Sequence, residues 1–420
     1  MPDWRALRYW AGQKLLHSPF HPLYLRLTGQ TPVPKTYARY VAAERPGPSQ
    51  PLDQTKYEIV TEPGVQLAPD AAYWLMREAE NTGASRIYAD EDCIGRHSPV
   101  FRPQWSPELA AHCDYIGGNY LRRLDENDPS YASVTRVLFH RPTPRTYPQT
   151  TPPTPQIHTR ATAIICSRDP QLLATCLTHL TNIPVVAVLH TGQGRGDDPQ
   201  LRLTAQRFAN VTAIEYTEPF HFARMCNLGA KQVRSEHLLF LNDDVTPQSP
   251  DWLQRMIAQA EKPNTGAVGA LLYYPDGRLQ HAGVMVGTPM GAGHPGRLSS
   301  GAVPHWPWLT MTREVSAVTG ACLLMPKKVF HAIDGFDEIF PVNYNDVDLC
   351  LRTAAKGYRI LLEGNAKMVH AESATRKTGI GYTERQTFLQ RWSNKLSAGD
   401  PYLNPNLSDD ELIQPDPKAL

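Results

Sequence analysis

The chain reads as an α/β protein organised on a parallel, Rossmann-like sheet, and three features predict it. Beyond residue 160, short apolar runs alternate with stretches that carry a helical stripe. Several runs (161–166, 184–190, 238–241 and 320–325) are almost unbroken, as in strands covered on both faces. Polar or acidic residues follow them, where ligands gather in such sheets. Strand and helix alternating over short loops give a parallel sheet with helices on both faces.

With 420 residues and 41% hydrophobic content, two or three domains are expected. Basic and acidic residues nearly cancel, 42 against 41, so no global field recruits nucleic acid, and no nucleic-acid partner is expected. Seven scattered cysteines without a Cys-x-x-Cys pair fit core positions in a reducing compartment rather than a zinc site. No run approaches the ~20 apolar residues of a membrane span, and the start lacks a signal peptide's apolar core. A cytoplasmic protein is expected.

Residues 1–55 form a basic, aromatic segment. After Asp3 no acid appears until Glu44, while Arg5, Arg8, Lys14, Arg26, Lys35 and Arg39 mix with Trp4, Tyr9, Trp10 and Phe20. Peripheral contact of residues 1–30 with the inner membrane and packing on the rest of the protein fit this pattern equally. Residues 56–140 read as a small α/β module: strand-like 57–60, helical 69–80, strand-like 86–89, then the acids Asp90-Glu91-Asp92. It is too short for a complete nucleotide-binding fold, so a structural role is expected. The Pro-rich stretch 141–157 is a stiff spacer.

The domain expected at 158–375 carries the chemistry. A helix at 170–180 has the stripe Leu172, Leu173, Cys176, Leu177 and Leu180; helical text at 199–208 and 222–234 brackets a strand at 211–214. Gly192, Gly194 and Gly196 miss the dinucleotide spacing and read as a flexible turn. The central strand ends in Asn242-Asp243-Asp244, followed by Ser249 as N-cap and Pro250 as first helical residue. Taken alone, Asn-Asp-Asp is more often a polar turn. The Gly/Pro/Ser-rich stretch 288–308 reads as a lid or binding loop, where His294, His305, Trp306 and Trp308 would meet an acceptor. A helix from Asn345 buries Val347, Cys350, Leu351 and Ala354, with Asp348 and Arg352 paired on its exposed side. Asp346 falls in its first turn, as a general base or as an acid complementing the helix dipole. His370 ends a further strand. A hard divalent cation held by few carboxylates is the usual means of holding a diphosphate.

From about residue 160 to 407 the chain resembles family 2 glycosyltransferases of the GT-A fold, of the kind that builds bacterial O-antigen, rhamnan and capsular chains. The resemblance rests on FHFARMCNLG at 220–229, FLNDDV at 240–245 with WL following, YPDGRLQHAGV at 274–284, VTGACLLM at 318–325, GFDE at 335–338, NDVDLCLR at 345–352, HAESATR at 370–376 and DPYLNPNLS at 400–408. Each phrase is weak, but their order and spacing are specific. The resemblance implies an inverting transfer from a UDP- or dTDP-sugar to a hydroxyl of a glycan or lipid-linked glycan. It implies Asp346 as catalytic base and Asp244 and His370 as ligands of a divalent metal, Mn²⁺ or Mg²⁺. Nucleotide-sugar contacts would come from Ser167, Arg168, Asp169, His190, Asn227, Asn242 and Asp243, and acceptor contacts from Thr319, Gly320, Asn345 and Trp306. His190 stands where relatives usually carry a base-contacting aspartate.

Residues 57–123 resemble the second half of a preceding glycosyltransferase domain, through YADED and FRPQWSPEL at 101–109. The position of its metal motif, Thr61-Glu62-Pro63-Gly64-Val65, has lost most carboxylates, so the module reads as degenerate. Residues 376–420 are expected as a helical extension. The alternative is a catalytically inactive glycan-binding or assembly protein.

Overall fold

The computed structural model describes residues 47–94, 99–148, 150–156, 160–191, 199–301, 303, 305–371, 381–408, 411 and 413. The expected interfacial segment 1–30, the glycines at 192, 194 and 196, and the phrase at 372–376 lie outside them. The chain divides into two compact units, Met1–Thr150 with Ala302–Leu309 and Gly399–Leu420, and Thr151–Gly301 with Thr310–Ala398.

In the first unit a five-stranded sheet has the order β1-β4-β3-β5-β2. Its strands are β1 (Tyr57–Val60), β2 (Gln66–Leu67), β3 (Arg86–Cys93), β4 (Tyr120–Arg123) and β5 (Tyr131–Arg141). Helix α1 (Ala71–Thr82) buries Leu75, Met76 and Ala79 in one core with Ile87, Leu121 and Phe139, and stops at Gly83, left-handed at φ 71°. A short α2 (Pro107–His112) is capped by the Ser106 hydroxyl. Two distant pieces of chain complete this unit. Trp308 packs its ring on Tyr115 and Tyr147, and Asn404 and Asn406 donate side-chain hydrogen bonds to Asp90. Of the expected helical extension 376–420, Tyr382–Arg391 and Ser393–Ser397 are helical, while residues 399–408 are irregular, with Asn404, Asn406 and Leu407 buried.

Two expectations fail in this unit. The acids Asp90-Glu91-Asp92 do not follow β3 but lie inside it, because irregular register against β5 around Ala89–Glu91 lets buried donors reach them. The supposed lid at 288–308 is packed away. Its early part contains the strand β14 (Ala292–Gly293), which pairs antiparallel with β13 (Met285–Val286) in the second unit, and His305, Trp306 and Trp308 are core residues of the first. Two tryptophans and a histidine that exclude water cannot sweep over a cleft.

In the second unit β6 (Ala161–Ser167), β7 (Val185–His190), β8 (Val211–Tyr216) and β9 (His237–Leu241) are parallel, in the order β8-β7-β6-β9. The sheet then continues through β16 (Cys322–Pro326), β11 (Thr265–Tyr273), β17 (Arg359–His370) and β10 (Val245–Pro247), with β16 antiparallel to both its neighbours, β11 and β17 parallel to each other, and β10 antiparallel to β17. Helices α3 (Pro170–Thr178), α4 (Pro199–Gln206) and α6 (Trp252–Ala260) contribute Leu173, Leu177, Leu201, Met256 and Ile257 to one core with the strands. Helix α5 (Phe222–Ala230) lies so close to the sheet that a Cβ at Gly229 would come within 2.6 Å of Ile164. Helices α7 (Lys327–Ala332), α8 (Asn345–Ala355), α9 (Tyr382–Arg391) and α10 (Ser393–Ser397) complete the unit.

Tertiary contacts override two local expectations here. Ser249 does not cap a helix: its hydroxyl donates to the Asn365 carbonyl and accepts from Lys367 N–H, so α6 starts at Trp252 behind Asp251. Asp348 is not exposed. Arg391 and Trp392 at the end of α9 donate to its second oxygen while Arg352 holds the first, so the carboxylate is buried and Arg352 half-buried. Among the described residues no helix is long and apolar enough to cross a membrane.

Candidate active site

The acidic segment Asn242-Asp243-Asp244 connects β9 to β10, and register decides its partners. β10 pairs antiparallel with β17 so that Val245 faces His370, one residue from Asp244. The His370 Nε2 accordingly lies 3.1 Å from Asp244 Oδ1, and Ala371 N–H donates to the Asp244 carbonyl. On the other side, Ser167 at the end of β6 donates its hydroxyl to Asp243 Oδ2 at 2.6 Å. Burial pushes the Asp243 carboxyl up to about 6, with the charges of Asp244 and Asp169 adding to the effect and the Ser167 hydroxyl opposing it.

Asp346 is delivered by a strained turn. Tyr344, directly before α8, is left-handed at φ 61°, a costly conformation for an aromatic residue. It is held by ring stacking on Phe388 of α9 at 4.5 Å and by its hydroxyl donating to the Met290 carbonyl. Glu384 of α9 accepts from the N–H groups of Val342 and Asn343 and from the Asn343 side chain, pinning the same loop. Asp346 then accepts from Gly320 N–H at 2.8 Å and from its own neighbour Val347 N–H at 2.9 Å. Gly320 is followed by Ala321, whose carbonyl accepts from Asn242 N–H at 3.0 Å. Two adjacent residues thus join Asp346 to the acidic segment.

The remaining expected positions divide. Arg168 lies over the Phe220 ring at 5.4 Å, beside Ser167. Asp169 caps α3, accepting from Gln171 and Leu172 N–H. His190 Nε2 sits 3.1 Å from the Glu218 carbonyl, with its ring against Phe220. Asn227 is clasped by the Phe336 backbone and Glu338, and the Asn345 side chain donates to the Val342 carbonyl. Thr319 accepts from Ala321 N–H. Trp306, 2% exposed in the first unit, is packing; an acceptor reaching it would have to displace that core.

Three residues around the site carry no role in the sequence reading: Gln280, His281 and Glu384. Gln280 bonds both the ring and the backbone of His370, and the fully buried His281, its pKa lowered by loss of solvation, meets His294 Nδ1 at 3.0 Å. Only the phrase YPDGRLQHAGV hinted at the first two.

Among the described residues no group of three or more His, Cys, Asp and Glu side chains is arranged as a complete metal cage. Asp244 and His370 nonetheless fit a hard cation that keeps most positions for other oxygens. Two ligands at right angles, each about 2.1 Å from such a cation, stand about 3 Å apart, and the observed separation is 3.1 Å.

Residues 195–289 match the family model Glycosyl transferase family 2. The chain is 29% identical over 408 residues to the O-antigen biosynthesis protein RfbC of Myxococcus xanthus, covering 77% of this chain and 31% of that one. It is 25% identical over 235 residues to the N-acetylglucosaminyl-diphospho-decaprenol L-rhamnosyltransferase of Mycobacterium tuberculosis, covering 50% of this chain and 74% of that one. The chain thus spans about a third of the length of RfbC. The solved structure of GalNAc-T7 with UDP, GalNAc and Mn²⁺ aligns with 56% of this chain and 49% of that one at 10% identity and a TM-score of 0.44, a likeness too low to bear on the argument. The stretch that matches Glycosyl transferase family 2 thus lies in the second unit, in a mixed sheet whose parallel quartet ends at the acidic segment.

Proposed function

We propose that the second unit is an inverting, metal-dependent glycosyltransferase that moves a sugar from a UDP- or dTDP-sugar to a hydroxyl of a glycan or lipid-linked glycan in surface polysaccharide synthesis. The observation that carries the reading is the Gly320-Ala321 link, which sets Asp346 beside the acidic segment. Asp346 would take the acceptor proton, its two oxygens oriented by backbone N–H groups so that they face one direction. Asp244 and His370 would hold the cation, which when bound neutralises charge on the leaving diphosphate. Ser167, Arg168 and Asp243 would line the nucleotide, and Thr319 and Gly320 the acceptor. The rhamnosyltransferase relative, by its name, acts on a lipid-linked sugar, which favours an acceptor of that class. Contact with a membrane through residues 1–30 belongs to the same reading.

A second reading, a catalytically inactive glycan-binding or assembly protein, is favoured by the internal hydrogen bonds that engage Asp169, His190, Asn227 and Asn345. Calorimetric titration of UDP and dTDP with and without Mn²⁺ tests the first. Metal-dependent binding of one nucleotide, weakened at least tenfold in Asp244→Asn, is the expected outcome. Folded protein that binds neither nucleotide would favour the second reading.

A further inference from the structure

Gln280 lies in the short strand β12 (Leu279–His281), which pairs with the end of β11. Its side chain spans 90 residues of sequence to make two contacts with a single residue. The amide Nε2 is 3.3 Å from the His370 carbonyl oxygen, and Oε1 is 2.6 Å from His370 Nδ1. A carbonyl oxygen only accepts, so the amide end facing it must be the NH₂ group. The end facing the ring is then the oxygen, which also only accepts. His370 Nδ1 must therefore carry a hydrogen and donate it.

The consequence falls on the other ring nitrogen. In a neutral imidazole with Nδ1–H, Nε2 presents a lone pair, and it points at a carboxylate oxygen 3.1 Å away. Two acceptors at that distance need a proton or a cation between them, and the neutral Nδ1–H ring leaves that place open to a cation. Without Gln280 the neutral ring can place its hydrogen on Nε2 instead and donate to Asp244 Oδ1, which closes the pair on itself and removes both ligands.

We propose that Gln280 is a positioning residue that holds His370 in the Nδ1–H tautomer and so keeps the His370–Asp244 pair open as a divalent-cation clamp. This rests on reading that pair as the metal site. Partners of this kind, which orient a histidine ligand through its far nitrogen, change metal affinity roughly 10–100-fold when removed.

The test uses the full chain, Mn²⁺ alone as probe, and two substitutions of similar length. Gln280→Met removes both amide ends; Gln280→Glu keeps an acceptor for Nδ1. Free Mn²⁺ is followed by electron paramagnetic resonance, with circular dichroism confirming that each variant is folded. Gln280→Met is expected to bind Mn²⁺ roughly 10–100-fold more weakly, while Gln280→Glu binds at least as tightly as the parent. Nitrogen NMR of ring-labelled histidine, assigned by difference against His370→Asn, should show the Nδ1–H form in the parent and Gln280→Glu, and a shift towards Nε2–H in Gln280→Met. Should Gln280→Met fail to fold, the parent's NMR signal alone decides: an Nε2–H ring overturns the proposal. If Asp244→Asn loses Mn²⁺ but Gln280→Met does not, the clamp stands and the role of Gln280 falls. If the parent binds no Mn²⁺, both fall.

Discussion

Asp90-Glu91-Asp92 in β3 and Asn242-Asp243-Asp244 after β9 look alike as text, since each puts acids at the end of an apolar run. Their surroundings are opposite. Asp90 is fully buried and accepts from Arg102 N–H and from the side chains of Asn404 and Asn406. Glu91 meets the Arg102 guanidinium at 2.6 Å and accepts from the Tyr147 hydroxyl and Asn119. Asp92 faces His140 at 2.7 Å. In the second unit, Asp243 receives one short hydroxyl bond, and Asp244 faces an imidazole held in place by Gln280. The first triad's acids are saturated with internal donors and act as scaffold, whereas the pair of Asp244 and His370 is the one proposed to hold a cation. Glu62, in the stretch expected to be a degenerate metal motif, is likewise bound by Arg141 and Arg145.

The sharpest way to break this contrast is Arg102→Met. It leaves Glu91 buried without its cation, and removing one partner of such a pair costs about 3–5 kcal/mol. Hydrogen exchange resolved by segment should show β3 and β5 losing protection while β6 and β9 retain theirs. Unchanged protection in β3 would mean that the donors around Asp90 and Glu91 are not what makes the triad structural.

Next in size is a pH effect. Burial pushes Asp90 up to about 7, against the N–H donors that favour its charged form. The folded state therefore keeps a proton that the unfolded chain releases near pH 4. The associated stability is fully present below that pH and is lost as pH rises through about 7, with a slope of at most about 1.4 kcal/mol per unit. Urea unfolding of the first unit's strands, followed from pH 4 to 8, should show this decline, and Asp90→Asn should flatten it. An equal slope in the mutant would assign the titration to another group.

How far the text could be read follows from what each feature depends on. The strands β6, β7 and β9 were legible because burial on both faces demands unbroken apolar runs, and the two acids and the histidine that the resemblance singled out fall just after β9 (Asp244), at the start of α8 (Asp346) and at the end of β17 (His370). Ser249 and Asp348 were misread because neighbours remote in sequence claim them: β17 takes the Ser249 hydroxyl, and α9 covers Asp348. Gln280 and Glu384 were invisible for the same reason, since their partners stand 90 and 41 residues away and no local period encodes such pairings. The return of residues 303–309 and 399–408 to the first unit is likewise a property of packing, and Trp306 was placed at a ligand because its burial could not be read from composition.

The smallest expected effect sharpens the contrast from its other side. Arg160 and Glu236 form an ion pair of the same chemistry as Arg102 and Glu91, with N···O at 3.2 Å, but their side chains are 60% and 64% exposed rather than 0% and 2%. Water and salt screen the exposed charges, and ordering two long side chains offsets what attraction remains, so such pairs contribute about 0–1 kcal/mol. A double-mutant cycle of Arg160→Ala and Glu236→Ala should give a coupling in that range that vanishes in 1 M salt. The same salt should leave the effect of Arg102→Met unaltered, because ions do not reach a pair closed off from solvent. A coupling at Arg160–Glu236 as large as the loss at Arg102 would show that burial is not what separates scaffold carboxylates from the others in this chain.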